Sequence, residues 1–167
     1  MRRIFVVITI LCASTIYAQD STSYWIFKYS TPEIVTQTFI DKKLDTLYSF
    51  SYHLNPFYLR GDFNGDKIND IAIPIIEKKS NKIGIAIIHT GTKEVFIFGA
   101  GKRFTYLTDD CKYLDIWSVD TPGVYKSHWE KYSVKVKYEA INIGKFECSG
   151  GLLYWDGKKY NWYHLTD

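Results

Sequence analysis

The chain has 167 residues with 21 basic and 18 acidic side chains, and 17% of it is aromatic. That length suits one domain of ordinary size with a core of its own. The near balance of charge, with no clustered Lys/Arg face, excludes a nucleic-acid surface.

At the N-terminus, Arg2 and Arg3 precede an apolar run from Ile4 to Ala13, followed by "STIYA" and Gln19. A short basic start, an apolar core and a small residue at the cut make up a secretory signal, with cleavage expected after Ala18. The run is too short to span a bilayer, which takes roughly 20 apolar residues. A lipid-modified Cys12 is the less favoured alternative, because Leu11 stands where a small residue precedes such a cysteine. The expected organisation is a signal over 1–18 and a single β-rich domain over 19–167. Its destination is extracytoplasmic, either periplasmic or secreted.

Next comes "STPEIVTQTFI", where Ser30 or Thr31 can cap, Pro32 suits a first turn and Glu33 favours the positive end of the dipole. The spacing predicts a helix over 30–40 with Ile34, Val35 and Phe39 on one face. Strands are predicted over 57–63 and 68–77, then 83–89 and 94–99, joined by short polar turns as an antiparallel meander. Pro74 cannot donate to a ladder, so its strand is expected at an edge or bulged there. Further strands are read at 113–119, 132–141 and 151–155, with a closing hairpin turned by Asp156-Gly157. In 132–141, Val134, Val136, Tyr138 and Ala140 alternate with Lys135, Lys137 and Glu139, which predicts one wet face. The fold class is mainly β, a sandwich-like antiparallel sheet with one short helix.

Cys111 and Cys148 remain after the signal, and an even pair in an exported chain predicts a disulfide, with two buried thiols as the alternative. Such a link would contribute roughly 4 kcal/mol in the chain-entropy model.

Between the first two strands of the meander lies "GDFNGDKINDIAIPI", residues 61–75. Asp62, Asn64 and Asp66 present oxygens at alternate positions, the carbonyl of Ile68 continues the series, and Asp70 closes it. Calcium takes 6–8 oxygen ligands, and this spacing wraps a short arc around such an ion. Like charges at 4 Å repel by about 4 kcal/mol per pair at an effective dielectric of 20, and a divalent cation reverses that sign. A metal-free turn at Asn64-Gly65 is the alternative.

"GDFNGDKINDIAI" resembles the calcium loop of the FG-GAP and VCBS repeat families. That resemblance implies a loop between two strands with Ca2+ held by Asp62, Asn64, Asp66, the Ile68 carbonyl and Asp70. Lys67 stands where those loops usually have glycine. Propeller members repeat the unit around a ring, whereas this chain has one copy and is not expected to form a propeller. The segments "KIGIAIIHTGTKEVFIFGAGKRF" and "LLYWDGKKYNWY" are similar to small exported proteins of Bacteroidetes bacteria that carry one such motif.

No nucleophile elbow, zinc-binding helix, phosphate loop or catalytic cysteine pattern is present, and His53, His89, His128 and His164 are isolated in sequence. No catalytic residues are therefore assigned, and an enzyme is not expected. The expected function is a calcium-binding β domain with a structural or interaction role. The alternative is a carbohydrate or cell-wall ligand binder, in which Tyr160 and Trp162 of the closing hairpin stack on a sugar.

Overall fold

The computed structural model describes residue 25, residues 29–128 and residues 131–166. The signal, Cys12 and Trp129 lie outside the described residues. The chain divides into two compact units, Met1–Glu33 and Ile34–Asp167. In the first, the rings of Trp25 and Tyr29 stack with centroids 6.0 Å apart.

Among its described residues the second unit has eleven strands and a helix that starts one residue before it. Helix α1 (Glu33–Asp41) falls within three residues of its predicted limits at either end, and buries Val35, Thr38 and Phe39. A single 3-10 turn follows at Leu44–Thr46.

The first sheet contains β1 (Tyr48–Phe50), β2 (Leu59–Gly61), β3 (Asp70–Glu77), β4 (Ile83–His89) and β5 (Glu94–Gly99). All its pairings are antiparallel, in the order β1-β3-β4-β5, with β2 also paired to β3. The meander expected from the sequence is thus present, but the expected edge at Pro74 is not. β3 is an interior strand, with β4 along one side. On the other side it meets β2 through residues 70–72 and β1 through residues 75–77. Pro74 sits where the flanking strand changes from β2 to β1, so the missing N–H falls in a gap that has no ladder partner to lose. Its carbonyl still accepts the N–H of Ser51 at 2.9 Å.

The second sheet has the order β11-β10-β9-β6, from β6 (Ile116–Asp120), β9 (Ala140–Lys145), β10 (Ser149–Trp155) and β11 (Tyr160–Thr166). A small hairpin pairs β7 (Gly123–Tyr125) with β8 (Val134–Val136). The stretch read as one strand over 132–141 is therefore two strands in different sheets, with a corner at 137–139. Alternation of side chains persists through such a corner, so it cannot reveal the change of partner.

The layering follows from which faces are apolar. Val35 and Phe39 of α1 pack on Ile71, Ile73, Ile75, Ala86 and Ile88 of the first sheet. The opposite face of that sheet, with Ala72, Ile85, Ile87 and Phe98, meets Trp117, Ile141, Ile143, Leu153 and Tyr160 of the second sheet. Beyond it, Val136 of β8 joins Ala140, Leu152 and Tyr163 in a third cluster. The alternation expected over 132–141 holds, with Lys135 and Lys137 exposed and Val136 and Ala140 buried in this third cluster. Burying each large apolar side chain contributes roughly 1.5–3 kcal/mol, which is why the sheets meet through these residues. Neither sheet closes on itself among the described residues.

Candidate functional site

The acidic loop links β2 to β3 and is held by its own side chains. Asp62 accepts the N–H of Gly65 on Oδ1 (2.7 Å) and of Lys67 on Oδ2 (3.1 Å). Asn64 Oδ1 accepts the Asp66 N–H (2.9 Å), and Asp66 Oδ1 accepts the Ile68 N–H (2.7 Å). Asp and Asn favour such bonds to amides a short way ahead, and alternate spacing repeats the device along the arc. The path turns left-handed twice, at Gly65 (φ +85°) and at Lys67 (φ +68°). Glycine adopts that backbone freely, whereas a lysine there is strained by about 1–2 kcal/mol. The bond from its N–H to Asp62 offsets part of that strain.

Asp70 opens β3 with 0% exposure. It accepts the Phe63 N–H on Oδ2 and the Thr90 N–H on Oδ1, each at 3.1 Å, and so ties the loop to the β4–β5 turn. Burial, reinforced by the charge of Asp66 and opposed by the amide donors, pushes its carboxyl up to about 6. The same turn approaches Asp66 closely, since a Cβ on Gly91 would lie 2.7 Å from Asp66 Oδ2. Thr90 Oγ1 donates to the Asn69 carbonyl at 2.8 Å.

Two residues from the corner between β8 and β9 complete the site. Glu139 Oε2 accepts the Asp62 N–H at 2.6 Å, and the Glu139 N–H reaches the Asp62 carbonyl at 3.3 Å. The ring of Tyr138 lies against Gly65, 2.0 Å from where a Cβ would stand. Sequence reasoning missed both. A charged residue at the end of a predicted strand carries no signal of a partner 77 positions away.

Asp62, Asp66 and Asp70 of the loop, and Glu139 bonded to it, have no cationic side-chain partner among the described residues. The two ion pairs found there are Lys82–Asp109 and Lys93–Asp41. The available donors are all oxygens, a set suited to a hard cation and unsuited to a soft one. Asp62, Asn64, Asp66 and Asp70 each accept a backbone amide in or beside this loop, and Ile68 donates its N–H to Asp66. Among the described residues, no three His, Cys, Asp or Glu side chains form a group that could hold a metal, and each carboxylate of the loop accepts a backbone amide.

The expected disulfide does not form. Cys111 is buried and Cys148 is exposed on the β9–β10 turn, and both are free thiols. Cys111 packs under Gly99, where a Cβ would come within 2.5 Å of its Sγ. Burial, with the nearby charges of Asp110 and Asp109, pushes this thiol up to about 12, which leaves it inert.

Tyr160 and Trp162 have different environments. Tyr160 lies between the sheets at 4% exposure, its hydroxyl hydrogen-bonded to His89 Nε2 at 2.7 Å, and offers no face to a ligand. His89 is equally buried, and desolvation holds its pKa below the usual imidazole range. Trp162 is half-buried and borders an open cleft. A Ser51–His53 contact (Oγ to Nδ1, 2.9 Å) places a hydroxyl beside an imidazole, but Ser51 is buried and the contact joins near neighbours in sequence. A nucleophile needs access as well as a base, and this serine lacks it.

No helix among the described residues is long and apolar enough to cross a membrane. No family model, curated protein or solved structure matches this chain.

Proposed function

We propose that this protein is a calcium-stabilised, non-catalytic β module acting outside the cytoplasm in a structural or interaction role. Its acidic loop would work as the FG-GAP and VCBS calcium loops that it resembles. The observation that carries this reading is that one short loop carries Asp62, Asp66 and Asp70, with Glu139 of the β8–β9 corner bonded to the Asp62 amide, and no lysine or arginine is paired to them among the described residues. Asp62, Asn64, Asp66, the Ile68 carbonyl and Asp70 would hold the ion. Bound there, it would neutralise their mutual repulsion and fix the junction between the two sheets. The extracytoplasmic assignment rests on the layout of residues 1–18.

Extracellular calcium modules bind with Kd values of about 10⁻⁴–10⁻³ M, and free calcium at 100 times Kd adds about 2.7 kcal/mol of stability. Thermal melts with calcium and with chelator provide the test. The expected result is a Tm that rises with calcium in the natural protein and loses most of that rise in Asp66→Ala. Calorimetry on chelator-stripped protein should show saturable heat at millimolar calcium. An identical calcium response in the variant, or no heat in the natural protein, would overturn the reading.

A further inference from the structure

In the two larger sheets, β1, β2, β5, β6 and β11 each have one side unpaired among the described residues. An open strand edge is a template for another strand, and proteins blunt it with short strands, charges, proline or bulges. β1 and β2 are 3 residues each, β6 ends on Asp120, and the β10–β11 ladder shifts register at Gly150/Gly151. β5 has none of these devices. It runs for 6 residues in unbroken register with β4, and its one charged residue is Glu94, at its first position.

The hydrogen-bonding groups of this edge can be followed from its far end. Gly99 exchanges both backbone bonds with Lys102, each at 2.9 Å, on the side away from β4. Backbone direction alternates along a strand, so Ile97 and Val95 also turn their N–H and C=O groups outward. Neither has a hydrogen-bond partner on that side among the described residues. The side chains are open on both faces of the sheet. Val95 and Ile97 are half-buried against the helix-side cluster, and Phe96 against the cluster between the sheets. A strand that adds here must be apolar on both faces, and β5 itself meets that requirement.

Charge selects a second copy and its direction. Glu94 is exposed at the start of the edge, while Lys93 beside it is paired with Asp41. Lys102 and Arg103 are exposed beyond the other end, and neither forms an ion pair among the described residues. One end is thus acidic and the other basic, so an antiparallel copy sets each end against its opposite. A two-fold axis at Phe96 also satisfies the register. It places Val95 opposite the partner's Ile97, both with outward amides, so that each such pair exchanges both backbone bonds. On the other face it brings the two Phe96 rings together as a cross-strand aromatic pair.

We propose that β5 is a self-association edge, through which two copies of this chain pair antiparallel about a two-fold axis at Phe96 and join their first sheets into one. The pairing uses the edge of each copy, so assembly stops at a dimer. A single strand pair is a small interface, and the association is accordingly weak and concentration-dependent.

The test is sedimentation velocity from about 1 μM to about 1 mM, a span that brackets weak association. The expected result is a reversible monomer–dimer equilibrium with no larger species. Amide exchange at Val95 and Ile97 should slow as the dimer fills. Glu94→Lys, at an exposed site where the fold is not at stake, should weaken association roughly tenfold, because the two-fold axis repeats the repulsion. Adding Lys102→Glu and Arg103→Glu to that variant should restore most of the loss. Ile97→Pro removes an N–H that the ladder to β4 does not use, and should leave a folded monomer. A monomer throughout the range, growth beyond the dimer, or a dimer unchanged in Glu94→Lys would each overturn the proposal. So would Val95 and Ile97 amides that exchange alike in monomer and dimer. A charge-swapped variant no tighter than Glu94→Lys alone would refute the antiparallel arrangement.

Discussion

The acidic loop and the free edge of β5 solve the problem of polar groups at a surface in opposite ways. The loop is contiguous in sequence, and its oxygens find donors within the loop or one turn away. The edge leaves the N–H and C=O groups of Val95 and Ile97 turned outward without a partner among the described residues. A short run of Asp and Asn can bend back on its own amides, because each side chain is short and its targets lie close ahead. A strand held extended by its ladder to β4 cannot bend back on itself, so its outer groups wait for another chain. Damage to the loop should therefore appear as lost stability, whereas damage to the edge should appear as lost association.

The largest effect is expected at the junction of the loop with the second sheet. Gly65 combines φ +85° with a Tyr138 ring where its Cβ would be. Gly65→Ala adds backbone strain to an overpacked contact, for a loss of about 4 kcal/mol in chemical denaturation. An unchanged midpoint would mean that the corner and the loop do not hold each other, and the contrast with the edge would fail at its strongest point.

A somewhat smaller effect distinguishes Asp70 electrostatically. Its folded carboxyl titrates near 6, above its ordinary value of 3.8. The folded state therefore holds the proton more tightly, so this group's contribution to stability is greatest at low pH and declines as pH rises from about 4 to about 6. The loss is about 2–3 kcal/mol if the full shift is expressed. Half-buried His53 and buried His89, both held below the usual imidazole range by desolvation, act in the opposite sense by resisting protonation. Comparison with Asp70→Asn isolates the carboxyl. In chelator, the natural protein should lose stability relative to the variant between pH 4 and 7. With saturating calcium the trend should invert, because the ion displaces the proton. A difference that is flat with pH in chelator would refute the burial argument.

Much of this was legible where physical causes are local. The bounds of β4 and β5 coincide with the apolar runs 83–89 and 94–99, because short apolar runs set between turns need little context. That a polar loop separates β2 from β3 was legible for the same reason, and within it Lys67 is left-handed. What depends on distant partners was not legible. Pro74 is compatible with an interior strand only because β1 and β2 divide one side of β3 between them. The corner at 137–139 is hidden because Val136 and Ala140 keep the same alternation on either side of it. Cys111 and Cys148 form an even pair in sequence, yet one lies in the core and the other on a turn. Tyr160 and Trp162 point to the same face, and only the approach of the first sheet separates the buried ring from the open one.

The finest distinction is between two tryptophans given the same edit. Trp117 is 6% exposed and its Nε1–H donates to the Pro56 carbonyl at 2.9 Å. Trp162 makes no such bond. Replacing either by phenylalanine removes a similar amount of ring from the same cluster, so the packing losses should largely cancel in the comparison. Trp117→Phe also strands a carbonyl that had a donor, whereas Trp162→Phe removes a donor that had no acceptor. Trp117→Phe should therefore be the more destabilising, by about 1 kcal/mol in paired urea melts. Equal losses would mean that the bond from Trp117 to the Pro56 carbonyl adds nothing to stability.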